Sequence, residues 1–264
     1  MLIYKSFFNR QDKFLAKHHR TRDNYSKGGV YVTLLFDHII YFSEDPRAMK
    51  EEYQQKGFHT VTGGTHDIWG THNTLLHCGL SYIEFLGIKN RQTFERYNED
   101  NVDYTLMSSI YKENYREGMH NFALRTTDIE ALSASLEKSG FEIDGPRTFR
   151  REKGDGEVVS WKLLFIKDNK TNVPMPFIID WGMSDEERLE NLEAGNILGD
   201  NGKLLEIKVA VENVDHAIHA FTEAFHLNKL DENTLELGKV ILTFSEELQE
   251  NQVVIEKDGE TFVI

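Results

Sequence analysis

The chain has 264 residues, of which 39% are hydrophobic and 28% are charged, a composition typical of a soluble globular protein. No apolar run approaches the roughly 18 residues that a membrane-spanning helix needs. The single cysteine, Cys78, excludes a disulfide framework and a multi-cysteine metal site. The net charge of −14 repels phosphate backbones, so we expect no nucleic-acid partner. We also expect a cytoplasmic protein with no membrane partner.

Residues 1–31 differ in charge from the rest of the chain, because they hold seven Lys or Arg and only two Asp. They lack the apolar segment of a secretory signal. The codons of Lys27-Gly28-Gly29 could form a bacterial ribosome-binding site, and Val32 could then be the start codon GTG. We therefore expect a basic extension over 1–31 that is either disordered or a misassigned start. A basic tail that contacts nucleic acid or membrane is the alternative.

Three stretches of the chain share one outline: a strand, a short polar loop and a helix. They span residues 35–58, 120–141 and 205–225. Repetition of this kind indicates that one structural unit occurs three times.

Helix-start signals support the repeat. Asp45 is a suitable cap before Pro46, which favours the first helical position. In the second copy, Thr127-x-x-Glu130 is a capping box. In the third copy, Asn213 precedes apolar residues at helical spacing.

Predicted strands follow each helix, so that each unit is expected to be βαβββ. In the first unit, a hairpin turn over 78–81 joins strands 75–77 and 82–88. The other predicted strands are 158–167 and 177–181 in the second unit, and 234–236, 240–244 and 253–255 in the third. Linker helices are predicted near 103–112 and 184–193, the latter with a capping box from Ser184 to Glu187.

The predicted fold class is α+β. Two βαβββ modules, over 32–115 and 116–183, would form a cupped mixed sheet around a cavity. A linker helix and a degenerate third module would occupy 184–264.

Histidine and carboxylate recur at similar places in the first two units. His38 and His120 lie in the first strands, and Glu84 and Asp180 lie in the last strands. A charge on a mostly apolar strand face is costly unless it is paired or binds metal. Together the four side chains would form an N₂O₂ site for a divalent transition metal: Fe²⁺, Mn²⁺, Co²⁺, Ni²⁺ or Zn²⁺. The alternative is metal-free, with two hydrogen-bonded pairs or direct binding of a ligand.

Paired units with this placement of histidine and carboxylate resemble the vicinal oxygen chelate superfamily. Three segments resemble its glyoxalase-like domain family more specifically: Gly63–Leu75, Ser81–Ile88 and His120–Thr126. The resemblance covers residues 34–182.

This resemblance implies that His38, Glu84, His120 and Asp180 are the metal ligands, and that Glu84 or Asp180 moves a proton. The family usually has Glu at the last position, so Asp180 could bind through water or leave that position open. Ile207-Lys208 stands where the third unit would need its histidine, which implies no metal there.

Further candidates for the substrate pocket precede the first hairpin: His66, Trp69, Thr71 and Asn73. They could form a wall of the pocket, with His66 as an acid or base near neutral pH, or a loop held by its own turns. Arg125 could hold a carboxylate or phosphate of the substrate, or pair with a surface acid. Trp161 could be a platform for the ligand or part of the core.

We expect a metal-dependent enzyme that acts on a small molecule, with isomerase, lyase or dioxygenase chemistry. The metal would hold two vicinal oxygens of the substrate. The alternative is a metal-free binding or resistance protein of the same fold. A homodimer is compatible with both interpretations.

Overall fold

The computed structural model describes residues 33–100, 107–152, 158–171 and 173–264. The predicted extension over 1–31 lies outside these residues, as does the first part of the linker helix predicted at 103–112. None of the described helices is long and apolar enough to cross a membrane.

The described residues repeat one order of strands and helices. The first module contains β1 (Leu35–Phe42), α1 (Pro46–Gln55), β2 (Val61–His66), β3 (Thr71–Cys78) and β4 (Ser81–Ile88). Linker helices α2 (Arg91–Asp100) and α3 (Ser108–Lys112) lead to the second module, with β5 (Gly118–Arg125), α4 (Ile129–Lys138), β6 (Glu142–Glu152), β7 (Val158–Lys167) and β8 (Phe177–Asp180). Helix α5 (Asp185–Ala194) precedes β9 (Lys203–Ala210), α6 (Val214–Phe225), β10 (Asn228–Asp231), β11 (Thr234–Leu237), β12 (Val240–Ser245), β13 (Gln252–Lys257) and β14 (Glu260–Val263).

The first two modules share one eight-stranded mixed sheet with the order β2-β3-β4-β1-β5-β8-β7-β6. Within each module the first and last strands are parallel, as in β1 with β4 and β5 with β8. The modules join through the antiparallel pair β1 and β5 at the centre of the sheet. This arrangement confirms the α+β class and the cupped sheet of paired βαβββ modules.

The third module is a complete βαβββ unit. Its strands follow the order β10-β11-β12-β9, and β9 and β12 are parallel. Strand β13 pairs antiparallel with β9, which is how β5 pairs with β1. The hairpin of β13 and β14 therefore occupies the place that a second module has in the larger sheet.

Two apolar clusters lie on opposite faces of the curled sheet. The outer cluster packs α1, α4 and α6 against their strands through side chains such as Tyr53, Leu136 and Phe221. Phe221 also stacks on Phe122 of β5 at 6.3 Å, so the third module packs against the second. The inner cluster includes Phe94 of α2. The sequence analysis did not predict helix α2, because most of its residues are polar.

The helix caps follow the sequence signals with one correction. Asp45 and Asn213 cap their helices, and the capping box at Ser184 is formed. In α4, however, Asp128 and not Thr127 accepts the hydrogen bond from the first turn, at 3.0 Å. An ionised carboxylate is favoured at this position because it also interacts with the helix dipole.

The buried imidazole of His77 makes stability depend on pH. It stacks on Tyr82 at 4.7 Å, and burial lowers the pKa of His77 to about 4. Between pH 6.5 and 4 the unfolded chain binds more protons, so we expect the folded state to lose roughly 2 to 3 kcal/mol on acidification through this window. Urea unfolding at pH 7 and pH 4.5 would show a smaller loss in His77→Asn. The exposed His219→Asn is the control, and an unchanged loss in His77→Asn would contradict the assignment.

Candidate active site in the cup

Equivalent backbone hydrogen bonds align the three modules residue by residue. In each module the amide after the first strand donates to a carbonyl of the last strand at 2.9 to 3.1 Å: Ser43 to Leu86, Thr126 to Ile179 and Val211 to Ser245. Counting back from these bonds, Asn121 and Glu206 occupy the position of His38. Phe177 and Thr243 occupy the position of Glu84.

A bulge at the same place in each first strand supports this alignment. The extra residues in the strand registers are Asp37, His120 and Leu205. His120 is therefore equivalent to Asp37 and lies one residue before the counterpart of His38.

The same registers correct two further correspondences. Asp180 lies three residues beyond Phe177, the counterpart of Glu84. In the third module the counterpart of His38 is Glu206, and not Ile207-Lys208. The side chain of Glu206 accepts a hydrogen bond from Thr243 at 2.6 Å, so a polar pair is kept there without histidine.

His38 and Glu84 come together inside the cup. His38 Nε2 lies 3.7 Å from Glu84 Oε2, and both side chains are less than a tenth exposed. The other carboxylate oxygen of Glu84 accepts a hydrogen bond from Asn73 Nδ2 at 2.6 Å. The His38 ring stacks on Tyr82 at 4.5 Å and meets Phe177 edge-on at 5.4 Å. These contacts hold both functional groups in one orientation.

Asp37 orients the imidazole from the other side. His38 Nδ1 donates to Asp37 Oδ1 at 2.7 Å, and Arg188 Nη1 and Trp181 Nε1 donate to Oδ2 at 2.6 and 3.2 Å. Burial alone would raise the pKa of Asp37, but Arg188, His38 and Arg125 together hold it well below its usual range. Asp37 is therefore an ionised acceptor, which leaves the second ring nitrogen of His38 directed at Glu84.

The other two predicted metal ligands lie elsewhere. His120 Nε2 donates to the Arg116 carbonyl at 2.6 Å, and its ring packs against Phe42. Asp180 accepts from the Gly182 amide at 2.8 Å, at the end of β8. Across residues 33–100, 107–152, 158–171 and 173–264, no three His, Cys, Asp or Glu side chains are grouped as metal ligands.

The donor set accordingly fits a divalent metal only in part. Two ligands of a tetrahedral ion, each about 2.1 Å from it, stand roughly 3.4 Å apart, which is close to the separation of His38 and Glu84. A catalytic site ordinarily has three protein ligands. The described side chains thus provide two, and the four-ligand set stays a prediction.

The residues predicted as the pocket wall surround this pair on the β2–β3 side. His66 Nδ1 is 3.0 Å from Thr71 Oγ1, and its ring is 5.5 Å from Trp69. Burial lowers the pKa of His66, and the charge of Glu84 offsets part of this effect. The lowered pKa favours the neutral imidazole of His66.

An aromatic band closes the cup between the two modules. The successive ring contacts, at 5.2, 6.4 and 6.1 Å, are Trp69 with Phe149, Phe149 with Trp161, and Trp161 with Trp181. Trp161 thus belongs to the inner apolar cluster and is part of this band.

Arg125 lies at the rim of a separate cavity of about 220 Å³ beside the start of α5. Its guanidinium makes two hydrogen bonds of 2.8 Å to Asp185 and another to the Phe36 carbonyl. These contacts use three of the five N–H donors of Arg125, and its role in binding substrate stays a prediction.

Sequence reasoning missed Asp37, Trp181 and Arg188. The adjacency of Asp37 and His38 was visible, but only the strand bulge turns both side chains toward the same site. Arg188 lies 151 positions from Asp37, so no local pattern links the two.

Paired βαβββ modules that share one curled sheet around a polar cup define the vicinal oxygen chelate superfamily. Within it, this chain belongs to the glyoxalase-like domain family, whose model matches residues 36–225. The match extends past the second module through α6, beyond the segment that the sequence resemblance covered.

The fold is shared with a solved structure. A hypothetical protein from Staphylococcus aureus is 22% identical, with a TM-score of 0.71, over 87% of this chain and 98% of that chain. A variant of methylmalonyl-CoA epimerase from Streptomyces coelicolor, in complex with 2-nitronate-propionyl-CoA, is 18% identical over 58% of this chain and 99% of that chain, with a TM-score of 0.41. The Mycobacterium tuberculosis epimerase is 15% identical over 60% and 93%, with a TM-score of 0.42. The chain matches no curated protein sequence.

Proposed function

We propose that this protein is an enzyme that moves a proton on a small-molecule substrate, as an isomerase or lyase, at the His38–Glu84 pair. The observation that carries the proposal is the buried chain of Asp37, His38 and Glu84, in which an imidazole stands between two carboxylates. Imidazole and carboxylate groups held close together in a cleft are the usual partners in general acid–base catalysis.

Asp37, His38 and Glu84 each have a distinct part in this mechanism. Glu84 Oε2 would take a proton from the reacting carbon, while Asn73 holds Oε1 in place. His38, protonated at Nε2 and compensated by Asp37, would supply a proton to the neighbouring substrate oxygen. The product of this step is an enol, and return of a proton to carbon gives the isomer. In a lyase, the enol would instead return its O–H proton to His38 and expel a leaving group from the next carbon, and that group would take the proton held by Glu84.

The divalent metal stays a prediction. His38 and Glu84 would be its two ligands in the cup, and when bound it would stabilise negative charge on substrate oxygens. Dioxygenase chemistry, which the sequence analysis also left open, would need such an ion.

Exchange of hydrogen for deuterium tests the proposal without knowledge of the full reaction. The purified protein would be incubated in ²H₂O with 2-hydroxy ketones, 2-oxo acids and branched acyl thioesters, after chelation and after addition of each predicted metal. Proton NMR should show loss of the α-hydrogen signal for at least one class. The His38→Ala/Glu84→Ala double variant is the control. Equal exchange in both proteins for every class would contradict the proposal.

The second candidate is a binding protein without catalysis, and the aromatic band supports it. Four rings between the modules provide a surface for a flat or apolar ligand: Trp69, Phe149, Trp161 and Trp181. Saturable binding of a substrate candidate in the absence of deuterium exchange would favour this function.

A further inference from the structure

Arg151 is a cation on the inner side of the cup. It lies on β6, two residues after Phe149, and side chains two apart on a strand face the same way. Phe149 contacts Trp69 and Trp161 in the aromatic band, so Arg151 is directed toward the same enclosed space. The side chain is partly buried.

The guanidinium of Arg151 reaches across the cup to the opposite edge strand. A Cβ placed on Gly64 of β2 would stand 2.3 Å from Arg151 Nη1 and 2.9 Å from its Cζ. Only glycine leaves room for this approach. The guanidinium of Arg151 therefore packs directly against the backbone of Gly64.

The same glycine segment is tied to the proton-transfer pair. The Gly64 amide donates to Asn73 Oδ1 at 2.7 Å, and Asn73 Nδ2 donates to Glu84 at 2.6 Å. The charges of Glu84 and Arg151 both act on His66, in opposite directions. Arg151 and Glu84 thus face the same part of the cup and are linked through one asparagine.

Arg151 differs from the other arginines that reach this region. Arg188 is paired with Asp37, and Arg125 is paired with Asp185. Within the part of the chain that the structure describes, the Arg151 side chain has no ion pair or hydrogen bond. A partly buried guanidinium with its donors unused is suited to an anionic ligand, because charge-assisted bonds to carboxylate or phosphate are among the strongest that arginine makes.

We propose that Arg151 binds an oxyanion group of the substrate, a carboxylate or a phosphate, while the reacting carbon lies at the His38–Glu84 pair. The substrate is therefore a small anionic molecule. This inference rests on the proposed function, because it names the substrate class of the same site. Gly64 positions the arginine, and Asn73 fixes the carboxylate relative to it.

Binding of simple anions tests this assignment. Isotope-labelled protein would be titrated with lactate, with inorganic phosphate and with the neutral analogue lactamide. The Nε–H signal of Arg151 would be followed by NMR together with the backbone amide signal of residue 64, which is also present in variants of Arg151. We expect saturable shifts with lactate, phosphate or both, and none with lactamide. The two anions distinguish a carboxylate site from a phosphate site.

Two variants should weaken the binding by about tenfold or more, and one should not. Arg151→Gln removes the charge, whereas Gly64→Ala keeps the charge and displaces the guanidinium. Arg150→Gln, which changes the exposed neighbour, is the matched control. Binding that persists in Arg151→Gln, equal shifts with lactamide, or the absence of any saturable shift would overturn the proposal. Anion binding without deuterium exchange would leave the Arg151 site standing and remove the proton-transfer function.

Discussion

Replacing Glu84 with glutamine is expected to slow proton exchange on the substrate by about 10²- to 10⁴-fold, the usual contribution of a positioned acid or base. The amide side chain has the same shape and can still accept the bond from Asn73, so the cup keeps its geometry while the base is lost. The rate of deuterium incorporation into the best substrate of the wild-type protein is the measurement.

The third module supplies a matched control for this substitution. Glu206→Gln changes a partly buried strand carboxylate that also accepts one hydrogen bond, but in the smaller sheet. It should leave the exchange rate unchanged. If Glu84→Gln and Glu206→Gln have the same rate as wild type, Glu84 is not the base.

Replacing Arg188 with methionine should destabilise the fold by about 3 to 5 kcal/mol, because it leaves the buried carboxylate of Asp37 without its main counter-charge. Urea unfolding at pH 7 would measure the loss. The pair of the exposed Arg147 and the partly buried Asp144 provides a comparison, and Arg147→Met should cost less than about 1 kcal/mol. The double variant Asp37→Asn/Arg188→Met should recover part of the stability, since no charge is then left unpaired.

The pH dependence of the Arg188 variant has a defined sign. In the wild-type protein, the lowered pKa of Asp37 contributes stability above the unfolded value near 3.8, and this contribution is lost as the pH falls below it. Without Arg188, burial raises the pKa of Asp37, so protonation relieves the cost of the buried charge. The stability difference between wild type and variant should therefore shrink as the pH falls from 7 to 4. A difference that grows on acidification would contradict this account.

Local signals in the sequence were sufficient for much of the fold. Asp45, Asn213 and the Ser184 capping box mark helix starts through interactions within one turn, and the turn at 78–81 is formed as a hairpin, with Cys78 paired to Ser81. These features depend on neighbouring residues alone. They could therefore be predicted from short stretches of sequence.

The correspondence between site residues of the first and second modules could not be predicted in the same way. Strands β1 and β5 each contain one histidine, so the sequence suggests matching His38 to His120, but the strand registers place His120 at the position equivalent to Asp37. The register depends on bonds to neighbouring strands that are distant in the chain. Glu84, Asn73 and His66 nevertheless gather in one place because β2, β3 and β4 are consecutive antiparallel strands.

Strand β13 covers one edge of β9, and this limits how a module of a second copy of the protein could pair with the third module. In the larger sheet, β1 offers this edge to β5, and the two modules together enclose the cup. In the third module the corresponding edge is already hydrogen-bonded to a strand of the same chain. A second copy of the protein would have to displace β13 before its own module could add there. Both modules that enclose the cup therefore come from one polypeptide.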